Sequence, residues 1–445
     1  MISSDLTTGT LNNTSSLKSF AIYGLFGYKN VVLPLDSQVL ILIAENGWGK
    51  TTILNSLYSV LDKNLEKLKK VDFEKIQVKF EMTNESTSSA IINKKDIESI
   101  SSIESDEDSL YYALANLERT RKFLANISQE QEVNKEKKER NKFRERISQE
   151  QEINKEKKLE WNRFIEVIKD NLKQKVFYFP TYRRIEEDLS SLGYKDIKFD
   201  NNQDKLIQFG MEDVKNHFKQ IEKEIKDTAF QLFSKVTGEM LTQFIDGIKV
   251  TQEMKDRIKP DILNIILSRV GEQNISQAEQ ENIRHLVSSG DIYDSRYDDL
   301  IYFLSKLINL YEQQRKIDES IKKFAEVCNK YLRPTKEIIY NESTADIDIK
   351  QTRNNDSIDL SGLSSGEKQI ISLFSKVYLE SKDNFILIID EPELSLSVEW
   401  QQMLLPDIIE SGRCKLLIAA THSPFIFDNE LDHYTYDLDQ FVTEH

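Results

Sequence analysis

Short apolar runs separated by glycine and polar turns mark both ends of this chain, and a long polar middle divides them. Residues 17–43 alternate β-rich stretches (SFAIYGLF, NVVLPL, QVLILI) with turn residues, which predicts a hairpin feeding a central strand at Val39–Ile43. An amphipathic helix follows at TTILNSLYSVLDKNL, and residues 73–82 read as a further strand. KVFYFP predicts a strand at Val176–Phe179, stopped by Pro180. Helical periodicity occupies 212–236, 240–248, 276–287 and 297–332, and strand-like alternation returns over 336–360. The last stretch reads as helix, strand, helix, strand at 365–380, 385–389, 397–411 and 415–420. With α/β texture at both ends and helical material between, one α/β domain is expected from discontinuous segments. Those segments are 1–104, 175–210 and 335–445, with a charged insertion at 105–174 and a helical one at 211–334.

The first insertion contains neither Pro nor Gly from Ser105 to Lys175 and is dense in Glu, Lys, Asn and Gln. Ile127–Lys138 (ISQEQEVNKEKK) recurs as Ile147–Lys158, with only Val133 exchanged for Ile153. An offset of twenty residues is about five and a half α-helical turns, so the two copies face opposite sides of one straight helix. They cannot both line one coiled-coil seam unless the helix is interrupted or unusually supercoiled. A solvent-exposed helical spacer and a helical hairpin carrying a partner surface both fit. The sparse apolar set Phe123, Ile127, Phe143, Ile147, Trp161, Phe164, Ile165 and Ile168 gives it something to pack.

Composition narrows the function classes. The chain has 445 residues and a formal net charge of -15, a poor general attractor for nucleic acid. Its two cysteines, Cys328 and Cys414, imply no disulfide framework and suit a reducing, cytoplasmic setting. The N-terminal residues lack the basic flank and apolar run of a signal peptide, and VLILIA and FILIID are too short to span a bilayer. No membrane association is expected.

Four motifs carry chemistry. AENGWGKTT (Ala44–Thr52) matches the phosphate-loop pattern except that Ala44 takes the place of the first glycine. Asn46, Gly47, Gly49, Lys50, Thr51 and Thr52 are therefore the candidate nucleotide-binding residues. Glycines let backbone N–H groups curl around a β-phosphate, Lys50 reaches the β and γ phosphates, and the Thr51 hydroxyl holds Mg²⁺. FILIIDEPE (Phe385–Glu393) is a buried strand delivering Asp390 and Glu391 at its carboxyl end. Asp390 suits Mg²⁺, and Glu391 suits the base that polarises an attacking water. LSGLSSGEKQIISLF (Leu360–Phe374) places Ser364 and Gly366 before an apolar-striped helix, which alone reads as an N-cap and turn. LLIAATHSPF (Leu416–Phe425) is a buried strand ending at Thr421 and His422, which alone fits a structural histidine equally well.

Taken in order, phosphate loop, LSSGE, DEPE and strand–His resemble the ABC ATPase class, in the soluble branch of the SMC, RecF and OLD ATPases. The resemblance implies an ATPase head with ATP and Mg²⁺ as cofactors, working as a homodimer or higher homo-oligomer. It also implies that Ser364 and Gly366 contact the γ-phosphate bound to the opposite subunit. Ser365 stands where a second glycine is usual, and Glu367 where glutamine is common. His422 becomes the switch residue, a catalytic role beside Glu391 and Lys50, and LSLSVEW puts Ser395 and Ser397 near the dimer seam. Tyr28 and Phe26 are candidates for packing on adenine. PTYRRIEEDL and FGMEDV are similar to ATPase subunits of bacterial antiphage systems, either AriA of PARIS or PtuA of Septu and its retron relatives. That implies a separate effector, a nuclease of Toprim or other type, and a phage protein as trigger.

Some features of the branch are missing. OLD proteins carry a Toprim nuclease after the ATPase; with 23 residues following His422, effector chemistry is expected on a partner instead. No CxxC pair supports a zinc hook. The lone D-x-D of DIDIK (346–350) lies where the ATPase sheet is expected to continue and is not read as a metal site. A DNA-maintenance ATPase is the alternative, with KNLEKLKK (63–70), the Lys-rich repeats and Arg183/Arg184 as basic patches, though such mixtures more commonly form a solvated face. Direct nucleic-acid binding is not favoured. A third reading is a nucleotide-gated scaffold.

Overall fold

A computed structural model describes residues 11–45, 47–81, 86–98, 100, 155–180, 211–272, 274–380 and 383–444. The strands in chain order are β1 (Leu17–Leu25), β2 (Lys29–Pro34), β3 (Val39–Ile43), β4 (Lys75–Glu81), β5 (Thr87–Asn93) and β6 (Lys175–Phe179). They continue as β7 (Lys336–Asn341), β8 (Asp346–Gln351), β9 (Phe385–Asp390), β10 (Cys414–Thr421), β11 (Thr435–Asp437) and β12 (Val442–Glu444). The chain divides into two compact units, the first formed by Met1–Thr181, Asp383–Glu393 and Gln401–His445. Tyr182–Lys382 and Leu394–Trp400 make up the second.

The first unit holds two sheets. One is parallel, in the order β11-β3-β10-β9-β6, and the other is antiparallel, in the order β12-β2-β1-β4-β5. Every residue of β9 is buried, and β10 and β3 are nearly so, as expected of parallel strands covered on both faces. The helix Lys50–Leu61 packs against β9 and β6 and buries Ile53, Leu54, Leu57 and Leu61, with Tyr58 stacked on Tyr178 at 5.0 Å. Burial, then Asp62, pushes the Tyr58 phenol up to about 12.

A helix over residues 155–171 closes the charged insertion. Trp161, Phe164 and Ile168, spaced three and four apart on one face, are buried, and the Ser16 hydroxyl donates to the Asn171 carbonyl at 2.6 Å. The first repeat lies outside the described residues, and of the second only residues 155–158 are described.

The second unit is mostly helical, and it departs from expectation in four places. Residues 212–236 and 240–248, expected as two helices, form one, Met211–Asp246. An interior glycine costs a helix only about 1 kcal/mol, so Gly238 is accommodated, and termination waits for Gly247 at φ 85°. The helix Pro260–Val270 was not anticipated, although Pro260 at its first position and Gly271 beyond its end are ordinary boundary signals. The helix expected over 365–380 is α-helical only to Phe374, and Ser375–Glu380 widens into a π turn that buries Val377, Tyr378 and Leu379 together. DIDIK does not extend the ATPase sheet. It lies in β8, which forms a two-stranded hairpin with β7, and Asp348 accepts a hydrogen bond from Ser357.

A buried ion pair joins two helices of this unit. The Arg269 guanidinium makes two bonds to Asp318, with Nη1 to Oδ2 at 3.1 Å and Nη2 to Oδ1 at 2.5 Å, and lies over the Tyr311 ring. The Tyr340 hydroxyl also donates to Asp318. Both members of the pair are 3% exposed. Among the described residues, no helix is long and apolar enough to cross a membrane.

Candidate active site

Three adjacent parallel strands end at the same level. Thr421, the last residue of β10, sits beside Ile43, the last of β3, and Ala420 sits beside Asp390, the last of β9. The phosphate loop, the Asp390–Glu391 pair and His422 therefore leave the sheet together, at the carboxyl edge where open α/β sheets bind ligands.

The loop after β3 is shaped by two glycines in the left-handed region, Gly47 at φ 87° and Gly49 at φ 91°. Ala44 does not adopt a positive φ, so alanine costs nothing at the first glycine position. Gly49 is the N-cap of Lys50–Leu61, and no side chain caps this end. The first turn also has no acidic residue, so its N–H groups and the positive end of the helix remain available to an anion. Thr52 lies in this first turn, half-buried. Asn46 lies outside the described residues, as do Arg183 and Arg184.

Lys50 is almost wholly buried, and its ammonium donates to the carbonyls of Ala44 and Glu45. Its Nζ lies 2.7 Å from His422 Nε2. Burial lowers its pKa, while Asp390, Glu391 and Glu393 oppose that shift. Lys50 thus closes the loop on itself and touches His422. The Thr51 hydroxyl donates to Asp390 Oδ2 at 2.7 Å, and Asp390 is fully buried.

Glu391 leaves the strand at φ 49°, a left-handed conformation that costs a non-glycine residue energy and recurs at functional sites. Its N–H donates to the Ala420 carbonyl at 2.8 Å, which holds this turn against the end of β10. Burial raises its carboxyl pKa, helped by Asp390 and Glu393 and countered by His422 and Lys50. A carboxyl that takes up protons more readily than usual is suited to accept one from water.

The oxygen donors of Thr51 and Asp390, already within hydrogen-bonding distance, suit a hard cation such as Mg²⁺. Among the described residues no group of three His, Cys, Asp or Glu side chains forms a metal cage. A cation that keeps its waters and takes phosphate oxygens needs none.

Sequence reasoning missed Glu393 and Trp48. Glu393 accepts from the Thr421 hydroxyl and from the His422 N–H, each at 2.8 Å. Trp48 lies under the Lys29 ammonium, 4.3 Å from its ring centroid, and the same ammonium lies 5.4 Å from the Tyr28 ring. The Phe26 ring lies 2.9 Å from where a Cβ on Gly49 would stand. Phe26 thus borders the phosphate loop, and Phe26 and Tyr28, respectively 40% and 45% exposed, leave ring surface open. The signal for Trp48 was its place between the two loop glycines.

In the second unit, Ser364 and Glu367 form a reciprocal capping box at the start of Ser365–Phe374. The Glu367 carboxylate accepts from Ser364 N–H and from Lys336, each at 2.7 Å. Burial would raise its pKa, but Lys336 and Ser364 outweigh burial and hold it low. Ser364 Oγ accepts from Glu367 N–H, and the Ser364 side chain also hydrogen-bonds the Glu367 carboxylate. A Cβ at Gly366 would stand 2.4 Å from the Ser395 carbonyl oxygen, so glycine is required here by packing.

The family comparison agrees with this geometry. The family model described as "AAA ATPase domain" matches residues 16–427. The "Retron Vc95 probable ATPase" of Vibrio cholerae serotype O1 biovar El Tor is 29% identical over 145 residues. That match covers 28% of this chain and only 27% of the relative's length. Two solved structures align at TM-score 0.35, each over 92% of this chain and 90% of the other. One is an SMC head bound to the C-terminal winged-helix domain of ScpA, at 10% identity, and the other an SMC head with an extended coiled coil bound to the C-terminal domain of ScpA, from Pyrococcus furiosus, at 12%. The strands, loop and helix of the first unit and the family match over most of the chain's length place this chain in the AAA ATPase domain family, with an α/β phosphate-loop fold and helical insertions.

Proposed function

We propose that two copies of this ATPase close on ATP to form an ABC-type dimer, whose open and closed states hold or release a separate effector nuclease in bacterial antiphage defence. The observation that carries the ATPase part is the level ending of β3, β9 and β10, which brings Lys50, Thr51, Asp390, Glu391 and His422 to one edge. The antiphage part is supported by the similarity to a protein named as a retron ATPase.

In this reading the β- and γ-phosphates enter the loop of Gly47 and Gly49, and Lys50 exchanges the Ala44 and Glu45 carbonyls for phosphate oxygens. Thr51 and Asp390 would hold Mg²⁺, which would supply charge neutralisation at the phosphates. Glu391 accepts a proton from the attacking water, and His422 orients the γ-phosphate beside Lys50. Phe26, Tyr28 and Trp48 offer ring surface to adenine. The Ser364 hydroxyl turns from the Glu367 carboxylate to the γ-phosphate held by the other copy. Closure then depends on nucleotide binding the closed state far better than the open one, and hydrolysis reverses that preference.

Native mass spectrometry of the protein purified from its own host with its neighbouring genes intact, in ATP, tests this reading. A dimer or larger ring carrying a nuclease-like protein in fixed stoichiometry is expected. A lone protein carrying nucleic acid contradicts the effector-holding reading and favours direct DNA maintenance.

A further inference from the structure

We infer that Glu393 is a positioning residue that seats the His422 imidazole beside Lys50. Glu393 lies three residues beyond Asp390, past the turn at Glu391, yet both of its carboxylate oxygens engage the end of the neighbouring strand. Oε2 accepts from Thr421 Oγ1 and Oε1 from the His422 N–H, each at 2.8 Å. The contact is part of a chain. Thr421 Oγ1 in turn accepts from the Ser423 N–H at 3.0 Å, and the Ser423 hydroxyl donates to Gln401 Oε1 at 2.6 Å. Thr421 is fully buried, so its hydroxyl has a fixed place in this network.

Both groups facing Glu393 donate, one N–H and one O–H. An ionised carboxylate, which only accepts, satisfies both at once, and charge-assisted bonds of this kind are roughly twice as strong as neutral ones. Glutamine offers one oxygen and one NH₂, so one donor would meet another donor or have to turn away. The consequence falls on His422. Its side chain is exposed, and its backbone N–H is held by Glu393 while its Nε2 lies 2.7 Å from Lys50 Nζ. Releasing the N–H frees the residue that places the ring. Glu393 thereby ties the strand that delivers Asp390 and Glu391 to the one that delivers His422, and makes one rigid edge of two.

This inference rests on the proposed role of His422 in hydrolysis, so its test needs one readout that does not depend on turnover. The full chain is compared as wild type, Glu393→Gln, His422→Ala and the double variant, for kcat and KM of ATP hydrolysis. The ¹⁵N imidazole resonance of His422, assigned by its loss in His422→Ala, is recorded for wild type and Glu393→Gln. Glu393→Gln is expected to lower kcat about tenfold with KM changed less than about threefold, and to shift or broaden the His422 resonance. In the His422→Ala background the same substitution is expected to lower kcat less than about twofold, because the two act as a unit. An equal loss in both backgrounds, or an unmoved resonance, overturns the inference. If His422→Ala hydrolyses ATP normally, the role given to His422 fails instead, and the resonance alone decides whether Glu393 seats the ring.

Discussion

A methyl group added at Gly366 would put a carbon 2.4 Å from the Ser395 carbonyl oxygen and 3.3 Å from the Trp400 ring. Even a weak C–H···O contact keeps carbon and oxygen about 3.3 Å apart, so one backbone must move by close to an ångström. Neither side yields easily. Gly366 is buried in the first turn of its helix, and Ser395 already sits at φ 64°, in the left-handed region. Overpacking of this kind costs about 1–3 kcal/mol. Gly238 gives the opposite case. It lies within the helix Met211–Asp246 with nothing near its would-be Cβ, so Gly238→Ala stabilises by about 0.5–1 kcal/mol. At about 2–4 °C per kcal/mol for a unit of this size, Gly366→Ala should melt roughly 2–12 °C lower and Gly238→Ala a few degrees higher. Thermal unfolding of nucleotide-free protein, followed by circular dichroism, measures both. If Gly366→Ala melts with or above the wild type, the close approach is refuted, and glycine at this position must then be explained by nucleotide contact alone.

Two further outcomes follow from the charged groups. Glu391 has a raised carboxyl pKa when folded, so between the ordinary value and the raised one the folded state binds more protons than the unfolded, and stability falls as pH rises through that window. The neutral variant Glu391→Gln should therefore melt above wild type at pH 7, with the difference fading below the ordinary carboxylate range in a melting series against pH. Asp318→Ala leaves the buried Arg269 guanidinium without its counter-charge, which should cost about 3–5 kcal/mol in urea unfolding, whereas Asp318→Leu with Arg269→Met should restore most of it.

Much of the first unit could be read from local pattern. VLILI and FILIID are continuous apolar runs because their strands are covered on both faces, and each leads into candidate site residues. The motif order was visible too, because every motif is short and contiguous. Contacts made across the chain were less visible. Nothing near Glu393 in sequence shows that its oxygens reach Thr421 and His422, and LSSGE alone does not show that Gly366 lies against the Ser395 carbonyl. The short strands β11 and β12 have too few residues to show a period, yet β11 extends the parallel sheet beside β3 and β12 the antiparallel one beside β2. Gly238 read as a break because propensity is local, while the packing that carries the helix through it is not.

The central claim is that Glu391 acts on water at a site that binds ATP without it. Steady-state hydrolysis and equilibrium binding of ATP, with Mg²⁺ and after its removal by EDTA, compare wild type with Glu391→Gln. Wild type should hydrolyse ATP only with Mg²⁺, and Glu391→Gln should bind ATP within a few-fold of wild type while kcat falls about 10²–10⁴-fold. Normal hydrolysis by Glu391→Gln, or loss of ATP binding along with activity, would contradict the account.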